Sequence, residues 1–92
     1  MDLKEIVKQK CFKSNTLYPI TEMAKHLKQK MLKESVSKDK MMDWYGYDYI
    51  DKKVEKSDVK FDDLTEKEQE VKIEINNDFY SKVRDEMDKI KV

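Results

Sequence analysis

From Leu64 to Ile90 the chain carries a pattern that few folds can absorb. Thr65 and Glu68 form a capping box behind Leu64, the signature of a helix start. Val71, Ile75, Phe79, Val83, Met87 and Ile90 then recur at spacings of 4, 4, 4, 4 and 3. On a helix of roughly 3.6 residues per turn these side chains share one face, which predicts a single helix to about residue 90. A stripe this long needs a partner layer, either from the rest of the chain or from a second copy closing a four-helix homodimer core. The rival over its first half is a strand at Val71-Lys72-Ile73-Glu74-Ile75, ended by Asn76-Asn77, which the β-branched residues favour. Both readings place Phe79, Val83, Met87 and Ile90 inward.

Two more helices are legible upstream. Thr21 is a good N-cap with Ile20 as staple, and Met23, Ala24, Leu27 and Met31 occupy one arc, predicting a helix over 21–35. Its outer face carries Lys25, Lys28 and Lys33 with His26 and Gln29. Residues 2–13 read as a helix opened by Asp2 and Glu5, with Leu3, Ile6, Val7 and Cys11 on the stripe. Ser14-Asn15-Thr16 breaks that pattern, and Tyr18 before Pro19 is biased toward extended backbone. The middle, 38–63, has no clear period. Met41, Met42, Trp44, Tyr45, Tyr47, Tyr49, Ile50 and Val54 scatter around a helical wheel, while Tyr45, Tyr47 and Tyr49 alternate as on a strand. Lys56-Ser57-Asp58 is a turn candidate. The expectation is a mainly α single domain over 1–92, of three to four helices. The alternative is an α+β arrangement with a short antiparallel hairpin within residues 44–75.

Composition limits the chemistry. With 92 residues and 43% charged side chains there is room for one core at most. One Gly excludes a phosphate-binding or dinucleotide loop, and one Cys excludes an internal disulfide. One Cys and one His leave no zinc set, and the acids lack the Gly and terminal Glu of a calcium loop, so no metal or cofactor is expected. No apolar run nears the roughly 18 residues of a membrane helix. Met1-Asp2-Leu3-Lys4-Glu5 has no signal-peptide core, which points to a cytoplasmic protein. Nucleophilic catalysis needs a base in reach of the nucleophile. His26 lies on the lysine face and Cys11 on an apolar stripe, so the expectation is a non-enzyme.

Charge and aromatics carry what functional signal there is. The net charge is zero, yet residues 1–42 hold ten lysines against five acids, and 43–92 hold ten bases against fifteen acids. Such a split either draws the halves together, within one chain or head to tail in a dimer, or presents a charged docking face. Four of nine aromatics, Trp44, Tyr45, Tyr47 and Tyr49, fall within six residues, bracketed by Asp43, Asp48 and Asp51. Trp and Tyr dominate binding hot spots because each buries a large rigid area and offers a polar tip. One arrangement sinks Trp44 and one or two tyrosines in the core; the other uses the segment to dock a partner. The expected function is a small protein-interaction module (inhibitor, immunity-type or regulatory protein). Its docking face would comprise Asp43, Trp44, Tyr45, Tyr47, Asp48, Tyr49, Asp51, Asp62 and Asp63, set against a basic or nucleic-acid-binding cleft. The alternative is a non-specific nucleic-acid binder using Lys25, Lys28, Lys30 and Lys33, with Lys38 and Lys40 nearby. Nineteen of the twenty bases are Lys, so sequence-specific readout, for which arginine is the usual tool, is disfavoured.

Two local resemblances accompany these readings. Ile20-Thr21-Glu22-Met23-Ala24-Lys25-His26-Leu27 resembles the first helix of a helix-turn-helix, but Lys28 stands where its turn belongs. Trp44-Tyr45-Gly46 resembles the turn of the small secreted helical hairpins of the Trp-x-Gly type. That resemblance implies a two-helix hairpin bending at those residues and a secreted protein, although Pro19 interrupts its first helix.

Overall fold

Helices begin where the sequence supplies an acceptor for their first amides. A computed structural model describes residues 2–13 and 20–91; Ser14-Asn15-Thr16, Tyr18 and Pro19 lie outside these. The Asp2 carboxylate accepts from the Glu5 amide and opens α1 (Leu3–Cys11). The Ser37 hydroxyl accepts from the Lys40 amide and opens α3 (Lys38–Met41). Thr65 and Glu68 close both halves of the box ahead of α5 (Glu66–Lys89). α2 (Ile20–Glu34) starts earlier than expected, so Thr21 lies in its first turn and is not its N-cap.

α3 continues without a break through a π-helical stretch (Met42–Gly46) into α4 (Tyr47–Val54). A 3-10 turn (Phe61–Asp63) then leads to α5. The described residues thus form an all-α domain of four rods: α1, α2, the α3–α4 rod and α5. The alternative hairpin within 44–75 is overturned. No strand is present there, Val71–Ile75 belongs to α5, and the one strand-like pairing among the described residues is the isolated Phe12–Glu55 bridge. The Trp-x-Gly turn is also absent, because Trp44, Tyr45 and Gly46 lie inside continuous helix.

The π stretch explains why the middle looked aperiodic. Met42, Gly46, Ile50 and Val54 are all buried, at four-residue spacing. On an ordinary helix each such step drifts forward by about 40°, and the wider π turn reverses part of that drift. The Tyr47 amide accordingly bonds the Met42 carbonyl, five residues back. Gly46 has ordinary helical backbone with φ −62°, so its role is space and not conformational freedom. A Cβ placed there would stand 2.6 Å from the Met42 Sδ and 3.6 Å from Leu27 Cδ1.

The ends of α1 and α4 cap one another. The Lys13 amide bonds the Val54 carbonyl (2.9 Å), and the Lys56 amide bonds the Cys11 carbonyl (2.8 Å). The Lys56 ammonium adds a bond to the Gln9 carbonyl, and the Lys13 ammonium one to the Lys52 carbonyl. Two helix C-termini thereby share donors for carbonyls that neither helix can satisfy alone, with lysines placed favourably for both dipoles. Ser57 and Asp58 form the expected turn just beyond.

α2 ends in a Schellman arrangement. The Val36 amide reaches the Met31 carbonyl and the Ser35 amide reaches that of Leu32. Ser35 occupies φ +55°, where a Cβ is strained. Ser35→Gly is expected to raise the unfolding free energy by about 0.5–1 kcal/mol, read from the urea midpoint at unchanged slope. A lower midpoint in the variant would refute this account of the turn.

The core joins Val7, Met23, Leu27, Met42, Ile50, Val54, Val83 and Met87, with Ile75 nearly as deep. Val71, Phe79 and Ile90 of the predicted α5 stripe are half-buried against it. α1 is the partial exception. Val7 and Cys11 are inside, but Leu3 is half-buried and Ile6 is 40% exposed, since a short helix laid on α5 covers a narrow strip. The split charge is partly spent inside the fold: Lys10 pairs with Glu68 (3.3 Å) and Lys38 with Asp88 (2.9 Å), each joining the basic half to the acidic half.

Candidate functional site: an aromatic and ammonium ridge

Side chains four apart on one helix share a face, and two such pairs meet here. From α2 come His26 and Lys30; from the α3–α4 rod come Tyr45 and Tyr49. The tyrosine rings stack at 5.6 Å and 20°, and the His26 ring stacks on Tyr49 at 4.5 Å and 18°. His26 Nε2 and the Tyr45 hydroxyl share a hydrogen bond of 3.1 Å. Trp44 leans on Tyr45 at 6.4 Å and 51°. Lys30 Nζ stands over both, 5.3 Å from the indole ring and 4.7 Å from the phenol ring, and Lys53 Nζ lies 5.6 Å from the Tyr49 ring. Each ring pair contributes about 0.5–1.5 kcal/mol and each exposed ammonium–ring contact about 0.5–1 kcal/mol, enough to orient the cluster. The Tyr49 hydroxyl is pushed up from its ordinary value, by burial first and then by the neighbouring Tyr45 and Glu22, so it stays protonated at neutral pH.

Trp44 is 59% exposed, so the arrangement that sinks it in the core is overturned. It sits at position 44, off the buried 42–46–50–54 line of the rod. Asp43 is exposed beside it; Asp48, also exposed, pairs with Lys52 at 3.0 Å.

Tyr47 and Asp51 belong elsewhere. A period of two on a strand becomes a split on a helix, so Tyr47 faces α5 while its neighbours face α2. Its ring tilts against Tyr80 at 4.7 Å, and its hydroxyl accepts from Arg84, which also binds Asp39. Asp51 accepts from Tyr80 and from Asn76 through one oxygen, and Lys72 joins Asn76 and Glu55. These residues form a polar seam between the rod and α5. Asp62 and Asp63 are exposed in the 3-10 turn, whose Phe61 lies 5.8 Å from Lys72 of α5. Of the expected docking face, the structure therefore gathers Trp44, Tyr45 and Tyr49, with Asp43 and Asp48 alongside, and sends Tyr47, Asp51, Asp62 and Asp63 to other surroundings.

Of the lysines, Lys25 and Lys33 are exposed and Lys28 and Lys30 half-buried. Lys30, expected only among the nucleic-acid-binding lysines, stands over the ring cluster, and His26 and Lys53 join it unforeseen. The signal available in the sequence was the shared four-residue spacing of 26/30 and 45/49, but choosing which helices meet needs the crossing.

The seam gives a test of charge against hydrogen bonding. Burial holds the Asp51 carboxyl above its ordinary value, against the lowering effect of the Tyr80 bond. The native state thus binds its proton more tightly than the unfolded chain does, and stability from this group falls as pH rises beyond the ordinary carboxylate range. Asp51→Asn keeps the accepting oxygen and removes the charge. It is expected to match or exceed the parent by up to about 1 kcal/mol at pH 7, with the gap closing below about pH 4. Asp51→Ala leaves the Tyr80 hydroxyl and the buried Asn76 amide short of an acceptor and is expected to cost about 1–3 kcal/mol. Urea titrations at the two pH values check both, and equal losses in the two variants would refute the account.

Cys11 is buried in the core, and burial pushes its thiol up, away from the reactive thiolate. Among the described residues no three His, Cys, Asp or Glu are grouped to hold a metal ion, and no helix is long and apolar enough to cross a membrane. No protein-family model, no curated protein and no solved structure matches this chain. Fold and site together define a small all-α domain with an exposed aromatic cluster between two of its helices.

Proposed function

We propose that the chain is a non-catalytic protein-interaction module that docks through the Trp44 ridge. The observation that carries this reading is an indole more than half exposed yet held in place by Tyr45 and the Lys30 ammonium. A large rigid ring that is already oriented loses little entropy on binding, which is what makes Trp an anchor at interfaces. The exposed Asp43 beside the indole supports a partner with a basic surface. An inhibitory or regulatory role fits a domain of this size that works by occupying a cleft.

Trp44→Ala is expected to weaken partner binding by about 2 kcal/mol or more, roughly 30-fold, while the unfolding free energy moves by less than about 1 kcal/mol. Capture from the native host by the parent, by Trp44→Ala and by Lys67→Ala on α5 reads the first effect, and thermal melts read the second. A partner retained by all three proteins removes the ridge from the interface. Retardation of single-stranded DNA or RNA by the parent at low salt, lost at about 0.2 M salt, would favour the lysine face as a nucleic-acid surface instead.

A further inference from the structure

The ridge holds an internal cation, and its geometry suggests what an external occupant would look like. Trp44 and Tyr45 meet at 51° in a corner, and the Lys30 ammonium stands over both rings within about 6 Å, the range of cation–ring attraction. Aromatic faces carry the negative end of a quadrupole. Asp43, adjacent in sequence to Trp44, is an exposed carboxylate beside the corner, whereas Asp48, one helical turn beyond, is already paired with Lys52. In the same position Lys30 also pairs, at a long 3.8 Å, with Glu34 four residues on along α2.

We propose that the Trp44–Tyr45 corner is a receptor for an arginine side chain of a partner's basic segment, with Lys30 as the built-in occupant that the arginine displaces. This rests on the docking reading above and names its ligand class. Arginine fits better than lysine for two physical reasons. A guanidinium is planar and lies flat on an indole or phenol face, and it gives up hydration more readily than an ammonium. Lys30, a compact and strongly hydrated cation, is the easier one to return to water. Its ion pair with Glu34 on its own helix already exists and does not depend on the rings, so the exchange leaves no charge stranded. Lys53 over Tyr49 closes the far end of the ring stack with a cation already in place, which confines the incoming guanidinium to the Trp44 end.

Trp44 is the single tryptophan, so its emission reports on the corner without a label. The test titrates the full chain with hexa-arginine, hexa-lysine and a single-stranded oligonucleotide, using the parent, Lys30→Met, Lys33→Met and Tyr45→Leu. All four proteins are first matched by circular dichroism and thermal melting. Lys30→Met empties the corner, and Lys33→Met makes the same change in net charge on the exposed side of α2. The expected result is tighter hexa-arginine binding by Lys30→Met, about 3- to 10-fold, against a smaller gain for Lys33→Met. Hexa-lysine should bind the parent more weakly than hexa-arginine, and Tyr45→Leu should lose at least about 5-fold for hexa-arginine.

Equal gains for Lys30→Met and Lys33→Met would reduce the effect to bulk charge and overturn the proposal. So would equal binding of the two peptides, or oligonucleotide binding that Lys30→Met weakens. The two readings fail separately. A host partner captured through Trp44 while Lys30→Met leaves arginine binding unchanged keeps the docking surface and removes the arginine corner. Capture that ignores Trp44→Ala while the corner still prefers arginine does the reverse.

Discussion

Leu27→Ala is expected to remove about 3–4 kcal/mol of stability and to lower the melting temperature by roughly 15–25 °C. Leu27 is fully buried at the centre of α2, on the side where α2 meets the Gly46 turn of the rod. Its loss removes the transfer free energy of the missing carbons and adds the cost of a cavity, because neither neighbouring helix can collapse into the gap. The α3–α4 rod is pinned at Val54 by its mutual cap with α1 and at Asp39 and Lys38 by ion pairs to Arg84 and Asp88 of α5. Native domains of this size hold only about 5–14 kcal/mol in total, so the change is a large share of the whole. Urea unfolding followed by circular dichroism reads it directly. Leu32→Ala, at a position 48% exposed on the same helix, serves as the contrast and should cost under about 1 kcal/mol. Similar losses at the two positions would mean that α2 does not pack through Leu27.

Gly46→Leu is expected to cost about 2–4 kcal/mol or to prevent folding, for the opposite reason. The single Cβ of an alanine would already stand 2.6 Å from the Met42 Sδ, well inside contact distance, with the Leu27 methyl 3.6 Å away. Met42 has no exposed surface, so its side chain cannot swing out to solvent. Overpacking of this kind typically costs about 1–3 kcal/mol, and a branched side chain adds further clashes. Gly46→Ala is the finer measurement. Replacing glycine inside a helix gains about 1 kcal/mol of propensity, which offsets part of the displacement of Met42. The coupling with Met42→Ala isolates the contact: the double variant should be more stable than the summed single losses by about 1 kcal/mol or more. Strict additivity would show that the sulfur and the glycine do not share the space described.

The glycine also marks where reading by periodicity stops. A wheel assumes one angular step throughout, and Met42–Gly46 changes that step for a single turn. The buried line 42–46–50–54 is regular in the folded rod and irregular on the wheel, because a glycine does not register as apolar and the π turn shifts the phase. The tyrosines misled for a related reason. Their alternation fits a strand locally, but a helix presents 45 and 49 to α2 and 47 to α5, which makes one aromatic cluster into two half-clusters with different work. The aromatic cluster was legible; its partition was not. The residues of the face expected across 43–63 have different local partners: Asp48 pairs with Lys52, Asp51 accepts from Tyr80 and Asn76 of α5, and Asp62 and Asp63 stand in the 3-10 turn ahead of α5.

What the amino-acid order determined by itself is everything that acts within about one helical turn. The Thr65–Glu68 box, the Asp2 cap, the stripes of α2 and α5 and the turn at Ser57-Asp58 depend on neighbours three or four residues away, so their physics is written in the local sequence. The tertiary structure alone decided which faces meet. It placed Lys30 of α2 over Trp44 and Tyr45, gave Asp51 to Tyr80 and Asn76, and let two helix C-termini share their donors. Such pairings depend on the crossing and register of whole helices, and those are set by the sum of all core contacts and by no single stretch of chain.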